Sequence, residues 1–192
     1  MSVREVLQIG HPILAARAEE VDVEAIGTAK VQGWVDDLID TMRDANGAGI
    51  AANQIGIPYR LFTVEVSGEN PRYPYKPKIP LTVLINPQIE FLSTQTYEGN
   101  EGCLSVPNMR GVVTRHLEVA VSGFDRDGKH QKFDVRGYSA GTFQHELDHL
   151  DGILFPHRVT DPRSFCSWSV FVTYQQADFA ERVSALVERW GA

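Results

Sequence analysis

The stretch GTFQHELDHLDG, Gly141 to Gly152, constrains this chain more than any other. It is rich in helix formers, and its two histidines, His145 and His149, are four residues apart. On a helix, residues at that spacing lie on one face, one turn above the other. Two imidazoles so placed can hold one metal ion, with Glu146 beside the first as general base. A catalytic zinc-type site uses three protein ligands and leaves one position open. The chain must therefore bring a third ligand to this helix from another segment, or the two histidines are ordinary helix residues.

Composition narrows the setting. The chain has 192 residues, 43% of them hydrophobic, which suits one domain with a real core. We read residues 1–192 as a single catalytic domain. The formal net charge of -7 argues against a nucleic-acid binder that works through a broad basic surface. Two cysteines, Cys103 and Cys166, are too few for a disulfide framework, so a reducing compartment is expected. The N-terminal MSVREVLQIGHPIL lacks a signal-peptide apolar run. No apolar run approaches the roughly 20 residues of a membrane span. The expectation is a soluble, intracellular protein not associated with a membrane, and the missing transit peptide favours the cytoplasm of a bacterium.

Along the chain, Val31, Trp34, Val35, Leu38, Ile39 and Met42 follow helical spacing, and Gly47 of Asn46-Gly47 is a plausible left-handed stop. YRLFTVEV reads as a strand with Arg60 and Glu65 outward. Pro71, Pro74, Pro77 and Pro80 forbid regular structure and predict an extended surface loop over 67–80. LTVLINPQIEFL reads as a strand broken at Asn86-Pro87, and Asp127-Gly128 signals a hairpin. The HELDH helix is expected to begin after Gly141-Thr142. An amphipathic helix over 175–190 carries Phe179, Val183, Leu186, Val187 and Trp190 on one stripe. The sum is an α+β fold, with mostly antiparallel strands packed around a central metal-binding helix and a helix at the C-terminus.

For the third ligand, His157 lies in LFPHRV, but the extended H-E-x-x-H-x-x-G-x-x-H pattern needs a histidine where Phe155 stands. His157, His11, His116 and His130 read as structural. Cys103 in EGCLSVP is the stronger candidate, because a thiolate binds borderline divalent ions well. Cys166, among aromatic neighbours, reads as structural. Two other readings stay open at this point. One is a zinc endopeptidase that takes its third ligand elsewhere. The other is a metal-binding scaffold without catalysis.

Three stretches in order, GAGIAANQ (Gly47–Gln54), EGCLS (Glu101–Ser105) and QHELDHLDG (Gln144–Gly152), resemble peptide deformylase. The opening GHPIL and the DRDG hairpin are also similar, and the resemblance covers about residues 3 to 160. Two residues depart from the usual pattern: Ile50 stands where the family has Leu, and Asn53 where it often has Pro or Thr. The proline-rich loop is longer than in the shortest members.

The resemblance implies hydrolytic removal of the formyl group from the N-terminal formyl-methionine of newly made polypeptides. It implies Cys103, His145 and His149 as metal ligands, Glu146 as base and acid, and Gln54 with the Leu104 backbone N–H as oxyanion donors. The implied cofactor is one divalent ion, Fe2+ in the cell, with Zn2+, Ni2+ or Co2+ as isolated forms. The implied partners are the nascent chain and, transiently, the ribosome. No direct nucleic-acid contact is expected, and the state is monomer or homodimer. Gly49 reads equally as a place for close substrate approach or as a turn glycine. Asp148 reads equally as a residue that orients a histidine or as an exposed helix acid. Arg115 is read as an ion-pair partner near Glu101 or as a substrate contact. Gln144 has no role legible in the sequence.

Overall fold

Residues 2–67 and 75–191 are described in the computed structural model of the chain. The first predicted helix is α2 (Ala29–Asp44), which follows the one-turn α1 (Pro12–Ala15). Thr28 caps α2, its hydroxyl accepting from the Val31 N–H. The left-handed stop is Asn46 (φ 51°), not Gly47 as the dipeptide suggested. Asparagine tolerates that conformation, and a Cβ on Gly47 would crowd Leu104 Cδ1 at 3.1 Å and the Gly49 carbonyl oxygen at 3.2 Å.

Five strands form one antiparallel sheet in the order β1 (Gly49–Ala51), β2 (Leu61–Val66), β3 (Ile79–Phe91), β6 (Glu118–Phe124), β7 (His130–Arg136). A second sheet has the order β4 (Thr96–Cys103), β5 (Val106–His116), β8 (Cys166–Ser167). Side chains of the larger sheet alternate between two cores, as the pleat requires. Phe62, Val64, Leu84, Val119 and Val121 pack with Phe143 and Leu150 of α3 (Gly137–Leu150). Leu61 and Ile85 pack with Val35, Leu38 and Met42 of α2. Helix α3 thus lies between the sheets, touching β1, β2, β3 and β5, and twelve of its fourteen residues are buried. This is the α+β architecture with a central helix that the sequence predicted.

Several local expectations change. Arg60 is buried rather than outward, because it precedes β2 and its guanidinium donates to the Leu150 carbonyl and pairs with Asp151. Helix α3 starts at Gly137, nearly two turns earlier than expected, where Gly137 itself takes φ 63°. Strand β3 begins at Ile79, inside the span read as a loop, and runs through Asn86-Pro87. The proline, with no N–H to give the ladder, is absorbed by a register shift between Ile85 and Gln88. Residues 68–74 of the expected surface loop lie outside the described residues. In its last part Tyr75 packs against Tyr138 and Phe179, while Lys78 and Pro80 are exposed.

The C-terminal tail is anchored twice. Strand β8 pairs with β5 through Met109–Ser167 and Arg110–Cys166. Helices α4 (Trp168–Tyr174) and α5 (Gln176–Trp190) then bury Phe171, Phe179 and Val183 against Tyr138. Tyr174 stays 76% exposed, so the three aromatics of 168–174 do not share one environment. No helix of the described residues is long and apolar enough to cross a membrane.

Candidate metal centre and active-site cleft

Strand β4 ends at Cys103, directly opposite the face of α3 that carries both histidines. The thiol sulfur lies 3.2 Å from His149 Nε2, and one donor atom from each of Cys103, His145 and His149 falls within 4.8 Å of the others. Among the described residues this is the one group of three such side chains. His157 does not join it. Its Nδ1 accepts from the Leu154 N–H and closes a turn. His11 caps α1, His116 stacks on Phe91, and His130 packs edge-on against Phe124.

The donor set fits a divalent cation. His145 Nδ1 lies 2.8 Å from Glu101 Oε2. A carboxylate can only accept, so Nδ1 carries the proton and the other ring nitrogen is left as a ligand. Burial pushes His149 well below its ordinary pKa, keeping it neutral, as ligation requires. Burial also pushes His145 down, but its bonds to Cys103 and Glu101 outweigh that and carry it up to about 10. Two buried atoms, Glu146 Oε2 and His149 Nδ1, have no hydrogen-bond partner among the described residues.

The carboxylate of Glu101 is held by a chain of ion pairs. Arg115 donates to it from Nε at 2.7 Å and from Nη2 at 2.9 Å, and from Nη1 to Asp148 at 2.6 Å. Arg158 takes the other side of Asp148. Burial raises the Glu101 pKa, yet Arg115 and His145 more than offset this and hold it well below the usual carboxylate range. The Arg115–Glu101 pair is thus formed. Asp148 is neither an exposed acid nor a histidine partner. It is buried and anchors Arg115. Gln144 acquires a role: its amide bonds the backbone N–H and carbonyl of His116, tying α3 to the end of β5.

Glu146 is buried beside the cluster, and burial pushes its pKa up to about 7. A nearby dication lowers it again by favouring the charged form. Gln54 is fixed at both ends. Its Oε1 accepts from the Ala51 N–H at 2.8 Å, and its Nε2 donates to Ser105 Oγ at 3.0 Å and lies 3.5 Å from Cys103 Sγ. Asn53, the polar departure, donates its amide to the His149 carbonyl. Gly49, Gln54, Cys103, Leu104, His145 and Glu146 line one cleft.

Sequence reasoning missed part of this cleft. Lys76, Tyr97, Arg110 and Tyr138 also line it. Glu101 was read only as a partner for Arg115. Its position two residues before Cys103 on one strand puts both side chains on one face, which was the available signal. No local signal marks Lys76 or Tyr138, which reach the cleft only through tertiary packing.

Two histidines and a glutamate on a buried helix, met by a cysteine from the end of β4, fit the site of a metal-dependent hydrolase. The signature of the polypeptide deformylase family matches residues 3–164. The chain is 49% identical over 154 residues to peptide deformylase 2 of Nostoc sp., covering 80% of this chain and 84% of that one. It is 44% identical over 165 residues to peptide deformylase 1 of Nitrosomonas europaea, covering 85% and 91%. Among solved structures, the Met-Ala-Ser-bound class I type b peptide deformylase of Acinetobacter baumannii superimposes with a TM-score of 0.79 at 37% identity, over 82% of this chain and 99% of that one. The actinonin complex of a Synechococcus elongatus peptide deformylase gives 0.73 at 27% identity, over 97% and 85%. The chain belongs to the polypeptide deformylase family, whose members hydrolyse the N-formyl group from nascent peptides. The family match ends before β8, α4 and α5.

Proposed function

We propose that Cys103, His145 and His149 hold the single divalent ion of this deformylase, that the ion in the cell is Fe2+, and that Glu146 moves the protons. The observation that carries this reading is the convergence of one sulfur and two imidazole nitrogens within 4.8 Å, with the buried Glu146 carboxyl beside them. Thiolate and imidazole suit Fe2+, Zn2+, Ni2+ and Co2+ alike, so geometry and supply select among them. A divalent ion bound there acidifies water and polarises the formyl oxygen.

The chain's own groups do the rest. Glu146 accepts one proton from the attacking water as its oxygen bonds to the formyl carbon. The oxyanion that forms is met by the Gln54 Nε2 donor and the Leu104 backbone N–H. Ala51 and Ser105 hold the Gln54 amide in place beside Cys103. Glu146 then gives its proton to the amine nitrogen as the carbon–nitrogen bond breaks, leaving formate and a free N-terminal amine. Gly49 lines the cleft beside Glu146 and offers its backbone to the substrate. The substrate is the nascent formyl-methionyl chain, met near the ribosome in the cytoplasm, and residues 1–192 act as one catalytic domain in a monomer or homodimer.

An anaerobic assay of formate release from formyl-Met-Ala-Ser tests the reading, with N-acetylated and internal-peptide controls, on wild type and Cys103→Ala. Formate from the formyl peptide alone is expected, lost together with the bound metal in the variant. Cleavage of internal peptides, or metal retained without Cys103, overturns it.

A further inference from the structure

We propose that Tyr97 sets the length of the first side chain this deformylase accepts, by closing the end of the cleft beside the Cys–His–His cluster. The inference rests on the deformylase reading and names a residue that governs specificity within it.

Strand β4 and helix α3 run in the same direction towards the cluster. Contacts between them advance in step, Tyr97 with Gly141, Glu101 with His145, and Cys103 with His149. Alternate residues of a strand share a face, so Tyr97, Gly99 and Glu101 all turn towards α3. On α3, Tyr138, Gly141, Thr142 and His145 follow the spacing of one helix face, and all four line the cleft. Tyr97 therefore meets α3 about one turn, roughly 5.4 Å, before the first histidine. A Cβ on Gly141 would lie 3.1 Å from Tyr97 Cζ, and one on Gly99 would lie 3.2 Å from Tyr97 Cε2. The ring occupies a slot that exists because both neighbours are glycines. Its hydroxyl donates to the Tyr138 carbonyl at 3.1 Å, and the two ring centroids are 5.5 Å apart.

Little room is left beside the cluster. The free volume of the cleft is about 50 Å³, space for a few water molecules. A second hollow of about 270 Å³ lies beneath α5, lined by Arg182, Val183 and Leu186. Tyr97 and Tyr138 line both spaces, so their rings are the partition between them. Tyr138 is buried and packed against Phe179. Tyr97 is only half-buried, and its ring closes the gap that the two glycines leave. A substrate with its formyl carbon against Gln54 and Glu146 starts its first side chain one backbone atom beyond the formyl nitrogen. The corridor between β4 and α3 leads that side chain to Tyr97. Aromatic rings there suit an unbranched thioether chain, and the Tyr97 ring stops a longer chain from entering the hollow under α5.

The test compares kcat/KM for formyl-Met-Ala-Ser with that for the same peptide carrying 2-aminooctanoate, a longer straight chain, in place of methionine. Wild type, Tyr97→Phe, Tyr97→Val and Tyr97→Leu are measured. An apolar pocket discriminates by about 10-fold or more for a single methylene. Wild type is expected to favour the methionine peptide by at least that factor. Tyr97→Phe keeps the ring and should keep the ratio. Tyr97→Val opens the partition, and the ratio should fall towards one. Tyr97→Leu retains more of the apolar packing and should show the same fall. A merely structural Tyr97 would slow both peptides together and leave the ratio unaltered in the Val and Leu variants, which overturns the proposal. A wild-type ratio of one overturns it without any variant. Formate released from neither peptide overturns the deformylase reading itself, and this proposal with it.

Discussion

Gly49 and Glu146 stand so close that a Cβ on Gly49 would lie 2.7 Å from the Glu146 carboxyl carbon. Strand β1 therefore leaves a gap that the Glu146 carboxyl fills. Gly49→Ala is expected to displace Glu146 and lower kcat/KM by about 10²-fold, since small misplacements of reacting groups have effects of that size. Metal content should stay at the wild-type level. Gly33 in α2 is the control, because nothing lies within 4 Å of its absent Cβ. Gly33→Ala should raise stability by about 0.5–1 kcal/mol in urea denaturation.

Glu146→Gln keeps the size of the side chain and removes its ability to take a proton. Proton transfer by a positioned group contributes about 10²–10⁴-fold, so kcat should fall by that range while elemental analysis still finds one metal per chain. Loss of the metal would make Glu146 a ligand instead.

The bond between Glu101 and His145 Nδ1 orients a proposed metal ligand. Glu101→Gln should weaken metal affinity by about 10–100-fold, as loss of such supporting partners does. Removing Arg115 instead leaves Glu101 and Asp148 buried without their shared cation, Arg158 still pairing with Asp148. Arg115→Met should therefore reduce folding stability by about 3–5 kcal/mol, measured by denaturant titration of the metal-loaded protein.

Phe171 is fully buried between Arg110 and Phe179. Phe171→Ala is expected to destabilise the protein by about 3–5 kcal/mol. Hydrogen exchange should show the loss concentrated in α4 and α5. Uniform loosening of the large sheet would instead mean that the tail is not a separate packing layer.

The carboxyl of Asp37 is 8% exposed and receives bonds from Ser2 and Arg4. Burial pushes its pKa up, and those bonds more than offset this, leaving it below its ordinary 3.8. A depressed carboxyl stabilises the fold above its unfolded-state value and stops doing so as pH falls through the folded one. Asp37→Asn should thus be less stable than wild type at pH 7 by about 1–2 kcal/mol. The gap should close as pH drops below about 4, read from denaturation curves at several pH values.

The residues proposed as ligands and base could be picked out because such chemistry dictates their spacing. His145, Glu146 and His149 must share a short helix, and Cys103 sits in a motif of its own. The helix α2 and the hairpin at Asp127-Gly128 were legible through periodicity and turn residues. Arg60 and Asp148 were not, because a charge reads as exposed until its buried partner is known. For Arg60 those partners are Leu150 and Asp151, and for Asp148 they are Arg115 and Arg158, far off or on other elements.

By itself, then, the sequence determined the α+β class, the central helix, the family and the atoms able to hold a metal, since each follows from local residue patterns. Only the tertiary structure decided which nitrogen of His145 is free, why Gly49 must lack a side chain, and that Tyr97 fits against Gly141. Those depend on distances between residues tens of positions apart, set by how α3 is clasped between two sheets and a C-terminal tail, and no local pattern encodes such a distance.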